Sequence, residues 1–188
     1  MKLQLKIYGD PVLRSKTKLI SFFDTHLEDL SNNMIDIMNH NNGIGLAAPQ
    51  VGIKRRMFVV DMRLCQSNYS FQVDGKKISE KSYFPLAMIN PKIKSLSKEL
   101  CTYPEGCISI PNVYLNITRN YCICLYYQDI KGKKHYIKAN GYFARCIQHE
   151  IDHLEGILHL DHIKPSELIR YQNKLKKIRR NTKNIFKK

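Results

Sequence analysis

Two histidines four residues apart, His149 and His153, constrain this chain more than any other feature of its sequence. Residues at this spacing lie on one face of a helix, so both imidazoles reach a single metal ion only if the segment is helical. Asn140 can cap such a helix and Gly156 can end it. The apolar residues between them recur at helical spacing: Ala144, Ile147, Ile151 and Leu154. The sequence therefore predicts an amphipathic helix that carries two metal ligands.

Glu150 follows the first histidine directly, in the position from which a carboxylate can accept a proton from metal-activated water. The pattern fixes only three residues, however, and a buried helical histidine is often a hydrogen-bonded core residue instead. Two histidines also leave a metal site incomplete. The function of the chain therefore depends on the third ligand.

Candidates for the third ligand lie on both sides of the helix in sequence: Glu155, His159, Asp161, His162 and the cysteines. His159 lies ten residues after His149, which is the spacing of the third histidine in some zinc proteases. A zinc endopeptidase is therefore one alternative. Cys107 is the favoured candidate, because two histidines and one thiolate leave a fourth position open for water, as catalytic sites do. A buried structural cysteine is the alternative for Cys107.

The composition favours one globular domain, since the chain has 188 residues and 43% of them are hydrophobic. No apolar run is long enough to span a membrane, and residues 1–6 lack the apolar segment of a secretory signal. The six cysteines follow no disulfide pattern. We therefore expect a cytoplasmic protein with reduced thiols and no membrane partner.

The net charge of +15 is concentrated at the C-terminus, where residues 166–188 contain nine Lys or Arg and one Glu, a balance of +8. This segment is predicted to be an amphipathic helix with Ser166 as its cap and an apolar seam formed by Leu168, Tyr171, Leu175, Ile178 and Ile185. Its basic face is either merely solvated or attracts a polyanion such as RNA or a ribonucleoprotein. A basic ribosome- or RNA-binding protein with a structural metal site is therefore the second alternative.

The remaining pattern predicts an α+β fold. A helix is expected over residues 24–40, and residues 64–84 are expected to form a surface loop or hairpin insertion. Strands are expected near residues 57–60, 87–90, 121–127 and 135–138. Because these strands are short and hairpin-linked, we expect antiparallel strands packed around the central metal-motif helix, with the amphipathic helix at the C-terminus.

Three segments resemble the three motifs of peptide deformylases, in the same order: residues 43–50 (GIGLAAPQ), 105–109 (EGCIS) and 148–153 (QHEIDH). Residues 8–14 (YGDPVLR) also resemble the N-terminus of that family. The resemblance implies a hydrolase that removes the formyl group from the initiator methionine of nascent polypeptides and releases formate. Residues 1–165 would then form the catalytic domain, and residues 166–188 a basic helix of the same domain.

The resemblance also implies a role for individual residues. It matches the metal ligands to Cys107, His149 and His153, the general base to Glu150, and the donors that stabilise charge on the formyl oxygen to the Gln50 side chain and the Ile108 backbone. The peptide is expected to bind as an added strand along Ile44, Gly45 and Gly106. Its methionine side chain is expected in an apolar pocket near Ile44, Tyr142 and Cys146, for which ordinary core residues are the alternative reading.

Family resemblance further implies iron(II) as the metal in the cell, with zinc, nickel or cobalt in purified samples. It implies nascent formylmethionyl peptides as substrates and the ribosome surface as a partner of the C-terminal helix, but no DNA. The chain departs from the family pattern at Tyr114, where some relatives carry an arginine, so Tyr114 is left out of the predicted site. The chain also has Ile108 where leucine is more usual in the family. This departure matters little, because only the backbone N–H of this residue is expected to contact the formyl oxygen.

Overall fold

The computed structural model describes residues 3–185 of the chain, with side chains described up to residue 182. Its helices are α1 (Thr25–His40), α2 (Glu80–Tyr83), α3 (Gly141–Leu154), α4 (Pro165–Leu168) and α5 (Gln172–Ile185). Its strands are β1 (Gly45–Ala47), β2 (Met57–Val60), β3 (Tyr69–Val73), β4 (Leu86–Leu96), β5 (Leu100–Cys107), β6 (Ile110–Asn120), β7 (Cys122–Gln128) and β8 (Lys134–Asn140). Short 3-10 turns occupy Pro11–Arg14, Ala48–Val51, His159–His162 and Ile169–Tyr171.

The strands form two antiparallel sheets. Six of them pair in the order β1-β2-β4-β7-β8-β3, and β5 pairs with β6 as a separate hairpin. Helices thus pack against antiparallel sheets, which confirms the predicted α+β class. The strands are not all short, however, because β4 and β6 each extend over 11 residues. Among residues 3–185, no helix is both long and apolar enough to cross a membrane.

Helix α3 packs against the larger sheet and carries the metal motif. Its predicted apolar stripe is buried: Ala144, Ile147, Ile151 and Leu154. Asn140 occupies the N-cap position, but its side chain donates to Ser70 Oγ of β3 at 3.1 Å and does not cap the helix. After the helix, the chain turns at Gly156 with φ +74°, where an added Cβ would lie 2.6 Å from Arg14 O. A glycine is therefore required where α3 ends.

The segment 64–84, predicted to be a surface loop or hairpin insertion, contributes a strand and core residues to the fold. Its residues 69–73 form β3, which pairs with β8 at the edge of the larger sheet. Phe71, Val73 and Phe84 are buried in the core cluster that also contains residues of α3. The prediction of a surface insertion was wrong for these residues, because alternate positions of β3 face the core and not the solvent.

The C-terminal helix α5 packs on the body of the protein through its apolar side. Leu175 is buried and Ile178 half-buried, in a cluster that includes Val113 of β6. Thr182 Oγ1 donates to Tyr8 O at 3.0 Å, which links the helix to the N-terminal segment. The exposed side of α5 carries most of the basic residues of this segment: Lys174, Lys176, Lys177, Arg179 and Arg180.

The start of this C-terminal segment differs from the prediction. Lys164 is the N-cap residue and Pro165 the first helical residue, so Ser166 lies within the first turn and is not the cap. Proline suits this position because its fixed φ and missing N–H cost nothing there. The apolar seam is confirmed from Leu168 to Ile178. The side chain of Ile185, the last predicted member, lies outside the described residues, as do residues 186–188.

Candidate metal centre

Two elements bring three potential metal ligands together. Cys107 is the last residue of β5, and His149 and His153 lie one turn apart on α3. One ligand atom of each residue lies within 4.8 Å of the other two, and Cys107 Sγ is 3.3 Å from His153 Nε2. The β5–β6 hairpin therefore supplies a sulfur atom to a helix face that holds two imidazoles.

The other candidates for a third ligand contact different parts of the molecule. Their partners are Val113 O for His159, Asp152 for His162, Arg14 for Asp161 and Arg56 for Glu155. His159 is buried with its ring 6.0 Å from that of His149, so it packs beside the cluster without joining it. The structure thus groups Cys107 with the two histidines. His159, the third ligand expected for a zinc protease, is not part of the group.

The cluster fits a divalent metal. Sulfur and imidazole nitrogen are donors that zinc and first-row transition metals accept, and three protein ligands leave a position for water. Burial, reinforced by the neighbouring His149, holds the pKa of His153 well below its usual range. The His153 ring is therefore neutral, which is the form that binds a metal. Within the described part of the chain, the buried Glu150 Oε2 has no hydrogen-bond partner, so an acceptor is available beside the cluster.

Glu150 is buried beside the glycine segment. An added Cβ on Gly45 would lie 2.3 Å from Glu150 Oε1, so the carboxylate fits only because residue 45 is a glycine. Burial, which His149 and Arg119 partly offset, raises the pKa of Glu150 to about 7. A carboxyl group with a pKa near neutrality can both accept and return a proton under physiological conditions.

Gln50 has a fixed orientation in the 3-10 turn Ala48–Val51. Its Oε1 accepts from Ala47 N at 2.7 Å, so its Nε2 must point the other way. That amide nitrogen donates to Ser109 Oγ at 3.1 Å and lies 3.5 Å from Cys107 Sγ. Since Gln50 is buried, its N–H groups form a preorganised donor next to the potential ligands.

Glu105 lies against the cluster and was not among the predicted site residues. Its Oε2 accepts from His149 Nδ1 at 3.1 Å, which leaves the other ring nitrogen of His149 for the metal. Arg119 binds both carboxylate oxygens, at 2.6 and 3.0 Å, and Arg145 adds a contact of 2.5 Å to Oε1. Burial alone would raise the pKa of Glu105, but hydrogen bonds from His149 and Arg119 outweigh it and hold that pKa well below its usual range.

The cluster opens into a cleft of about 720 Å³. The cleft is lined by every residue predicted to contact substrate or its reacting group: Ile44, Gly45, Gln50, Gly106, Ile108, Tyr142, Cys146 and Glu150. Strand β1 is the terminal strand of the larger sheet and runs along the cleft through Gly45. An extended peptide can therefore add to this edge.

Tyr114 and Cys65 are among the cleft residues that were not predicted. The Tyr114 ring lies on Gly106, where an added Cβ would be 2.6 Å from Tyr114 Cε1. Cys65, in the loop after β2, also lines the cleft. The sequence shows a tyrosine nine positions after Glu105, but nothing local indicated that its ring would pack on Gly106.

The chain is similar to peptide deformylases both in sequence and in structure. The family model described as polypeptide deformylase matches residues 2–168. A peptide deformylase of Microchaete diplosiphon is 41% identical over 161 residues, which are 86% of this chain and 79% of that protein. The crystal structure of the Thermotoga maritima peptide deformylase is 37% identical, with a TM-score of 0.75 over 88% of this chain and 99% of its own. A Plasmodium falciparum peptide deformylase structure is 30% identical, with a TM-score of 0.82 over 96% of this chain and 98% of its own.

Proposed function

The chain belongs to the polypeptide deformylase family, and we propose that Cys107, His149 and His153 hold the divalent metal on which its activity depends. The enzyme hydrolyses the N-formyl group of nascent polypeptides and releases formate. The single observation that carries the proposed ligand set is the meeting of one sulfur and two imidazole nitrogens within 4.8 Å at the base of a peptide-sized cleft. Neither the endopeptidase nor the RNA-binding alternative is supported by the matched proteins.

The proposed chemistry divides the reaction among three residues. A divalent metal bound at this site would lower the pKa of a water molecule so that it attacks the formyl carbon at neutral pH. Glu150 accepts the proton of that water through its unpartnered, buried carboxylate. Gln50 Nε2 and the backbone N–H of Ile108 donate to the formyl oxygen as it becomes negative. Glu150 then protonates the methionine nitrogen as the C–N bond breaks, which yields formate and a free amino terminus.

Substrate binding is proposed along the open edge of β1. The peptide backbone pairs with residues around Ile44 and Gly45 on one side and with Gly106 on the other, because all three line the cleft. Tyr142 and Cys146, one turn apart on α3, face the same cleft and form the wall for the methionine side chain together with Ile44. Burial raises the pKa of the Cys146 thiol well above its usual value, so this wall stays uncharged.

The assay that tests this function is formate release from a formyl-Met peptide. We expect turnover in the metal-loaded enzyme, none after treatment with a chelator, and recovery when iron(II) is returned under anaerobic conditions. A matched peptide with an acetyl group in place of the formyl group is the control and should remain intact. Cleavage within either peptide, with no release of formate, would instead indicate an endopeptidase.

We propose iron(II) as the metal in the cell, with zinc, nickel or cobalt as substitutes in purified protein. The support is the mixed thiolate and imidazole donor set, which accepts all four metals, so cellular supply decides which one is bound. Metal content measured beside activity tests the proposal, with parallel samples prepared in the absence and presence of air. A zinc form that is faster than the iron form would refute it.

We also propose that the exposed basic side of α5 docks on the ribosome surface. Reversing three exposed charges, with Lys176, Lys177 and Arg180 each changed to Glu, should weaken ribosome binding and flatten its salt dependence. The matched control reverses three exposed lysines elsewhere, Lys76, Lys77 and Lys98. Equal binding by both triple variants would refute docking through the helix. These substitutions spare the buried Leu175 and Thr182, so the packing of α5 is retained.

The cytoplasm is the proposed location. All six cysteines are free, and Cys107 is needed as a thiolate, which a reducing compartment preserves. Cell fractionation followed by formate-release assays tests this placement.

A further inference from the structure

Arg145 connects the two elements that carry the metal ligands. It lies on α3 one turn before His149, and its side chain crosses to β5, the strand that ends at Cys107. There Arg145 Nη2 donates to Cys101 O at 2.6 Å, and Nη1 donates to Glu105 Oε1 at 2.5 Å. Only 2% of Arg145 is exposed, so its guanidinium is almost entirely shielded from solvent.

The contacts of Arg145 follow one face of β5. Residues 101, 103 and 105 alternate along the strand and so project to the same side. The guanidinium carbon lies 5.3 Å from the centre of the Tyr103 ring, between the contacts to Cys101 and Glu105. Nη1 also donates to Ile117 O of β6 at 2.8 Å. One side chain of α3 thus holds both strands of the hairpin that presents Cys107.

Arg145 also completes the hydrogen bonding of Glu105. A carboxylate has about four lone-pair positions on its two oxygens. Oε1 accepts from Arg119 and Arg145, and Oε2 accepts from Arg119 and His149. The carboxylate is therefore saturated and cannot rotate without losing a charge-assisted bond. Since Arg145 and His149 lie on the same helix, they fix the carboxylate relative to the His149 ring.

We infer that Arg145 is a positioning residue that sets the geometry of the metal site by tying β5 to α3 and by fixing Glu105 against His149. This inference rests on the proposed ligand set. Outer hydrogen bonds of this kind orient a ligating imidazole, and their loss typically weakens metal binding about 10- to 100-fold. Arg119, from β6, also reaches α3, where its Nη1 donates to Asp152 Oδ2 at 2.8 Å. It does not replace Arg145, however, because Arg145 joins Glu105 Oε1 and Cys101 O of β5 directly to the helix that carries His149.

The test measures the zinc dissociation constant, by chelator competition, for the full-length protein. Arg145→Met should raise that constant about 10-fold or more. It should also shift the visible spectrum of the cobalt-loaded enzyme and lower kcat more than it raises KM for a formyl-Met peptide. Arg145→Lys, which keeps a charge near Glu105, should recover most of the zinc affinity. The control Arg56→Met removes a comparable contact to Glu155, outside the cleft, and should lower Tm without changing zinc affinity.

A double-mutant cycle separates this role from a merely structural one. If Arg145 acts through Glu105, Arg145→Met should have little further effect on zinc affinity in a Glu105→Gln background. Unchanged affinity in Arg145→Met, or an equal loss in both backgrounds, would overturn the inference. The variant His149→Ala separates a failure of the proposed ligand set from a failure of the proposed role of Arg145. If His149→Ala binds zinc as tightly as the wild type, the ligand set itself is wrong. If His149→Ala loses affinity and Arg145→Met does not, only the positioning role is wrong.

Discussion

Two histidines of this protein meet carboxylates in different ways. His149 contacts Glu105 through Nδ1 alone, at 3.1 Å, and its ring lies in the group of potential metal ligands. His135, in β8, uses both ring nitrogens: Nδ1 lies 2.9 Å from Asp74 Oδ2, and Nε2 lies 3.0 Å from Asp129 Oδ2. An imidazole between two carboxylates donates both protons and is therefore a cation without a lone pair for a metal.

These two histidines differ in their number of carboxylate partners and in their surroundings, since only His149 lies beside Cys107 and His153. Asp74 lies in the turn after β3 and Asp129 in the turn between β7 and β8, so His135 ties two turns together and stacks on Tyr127. His149 has one carboxylate partner, and its ring also approaches Cys107 among the potential metal ligands. The first arrangement links two turns, whereas the second is the kind of hydrogen bond that orients a metal-ligating imidazole. Substitutions at the two sites should therefore change different observables.

The largest expected effect is the loss of metal and activity in His149→Ala. Removing one of three ligands should reduce formate release below detection, and the purified variant should contain little metal. His135→Ala is the matched control, which should keep its metal content and its kcat. Metal analysis and formate-release assays on both variants test this contrast. Normal metal content in His149→Ala, or its loss in His135→Ala, would break the comparison.

Glu150→Gln should lower kcat by about 10² to 10⁴, because general acid–base catalysis contributes on this scale. The amide keeps the shape of the side chain but cannot accept the proton, so metal content should be retained. Asp129→Asn makes the same chemical change at the His135 site and should leave kcat unaltered. Rapid turnover by metal-loaded Glu150→Gln would remove Glu150 from its proposed role.

Gln50→Ala should lower kcat by about 10² to 10³, the effect of losing one donor to a developing oxyanion. Its KM should change little, because the interaction strengthens as charge develops. Ser109→Ala removes the neighbouring partner of the Gln50 amide and should cost much less. Steady-state kinetics on the same formyl-Met peptide compare the two. Similar losses in both variants would indicate that Gln50 acts only by packing.

The metal motif could be predicted because its information is local. The spacing of His149, Glu150 and His153 is set within one helix turn, and the apolar stripe that orients the helix lies in the same segment. The buried residues around the motif carry no such local signal. Arg145 and Arg119 reach Glu105 across separations of 40 and 14 residues. Their meeting depends on strand register and helix packing, which sequence spacing does not encode.

The β5–β6 hairpin shows the same limit in the fold. Strands β2, β4, β7 and β8 were predicted and are confirmed, although β4 continues beyond the predicted residues to Leu96. Strand β5 was missed because Glu105 is its only buried residue and it contains Pro104 and Gly106, which are unfavourable in strands. Its long partner β6 was also missed, since its alternation is interrupted by polar residues near both ends. The hairpin that supplies Cys107 is thus a part of the fold whose strands were not recognised from the sequence.

The smallest expected effect lies at His135. Burial alone would lower the pKa of His135, but hydrogen bonds to Asp129 and Asp74 outweigh it and raise that pKa. A raised folded pKa contributes stability that is complete below the unfolded value of about 6.5 and is lost as pH rises through the folded value. The pKa values of Asp74 and Asp129 are lowered in the folded protein. The stability that these carboxylates contribute is therefore lost only as the pH falls through their folded pKa values, below about 4.

His135→Gln should therefore destabilise the protein most between about pH 4 and 6.5, and progressively less as the pH rises above this range. We expect a loss of about 1 kcal/mol, because both carboxylates are partly exposed and screened by solvent. Urea unfolding across this pH range measures it, with the exposed His26→Gln as control. A loss that is independent of pH would mean that His135 stabilises through stacking on Tyr127 and not through its charge. In that case the contrast with His149 would rest on ring packing alone, and the number of carboxylate partners would no longer explain it.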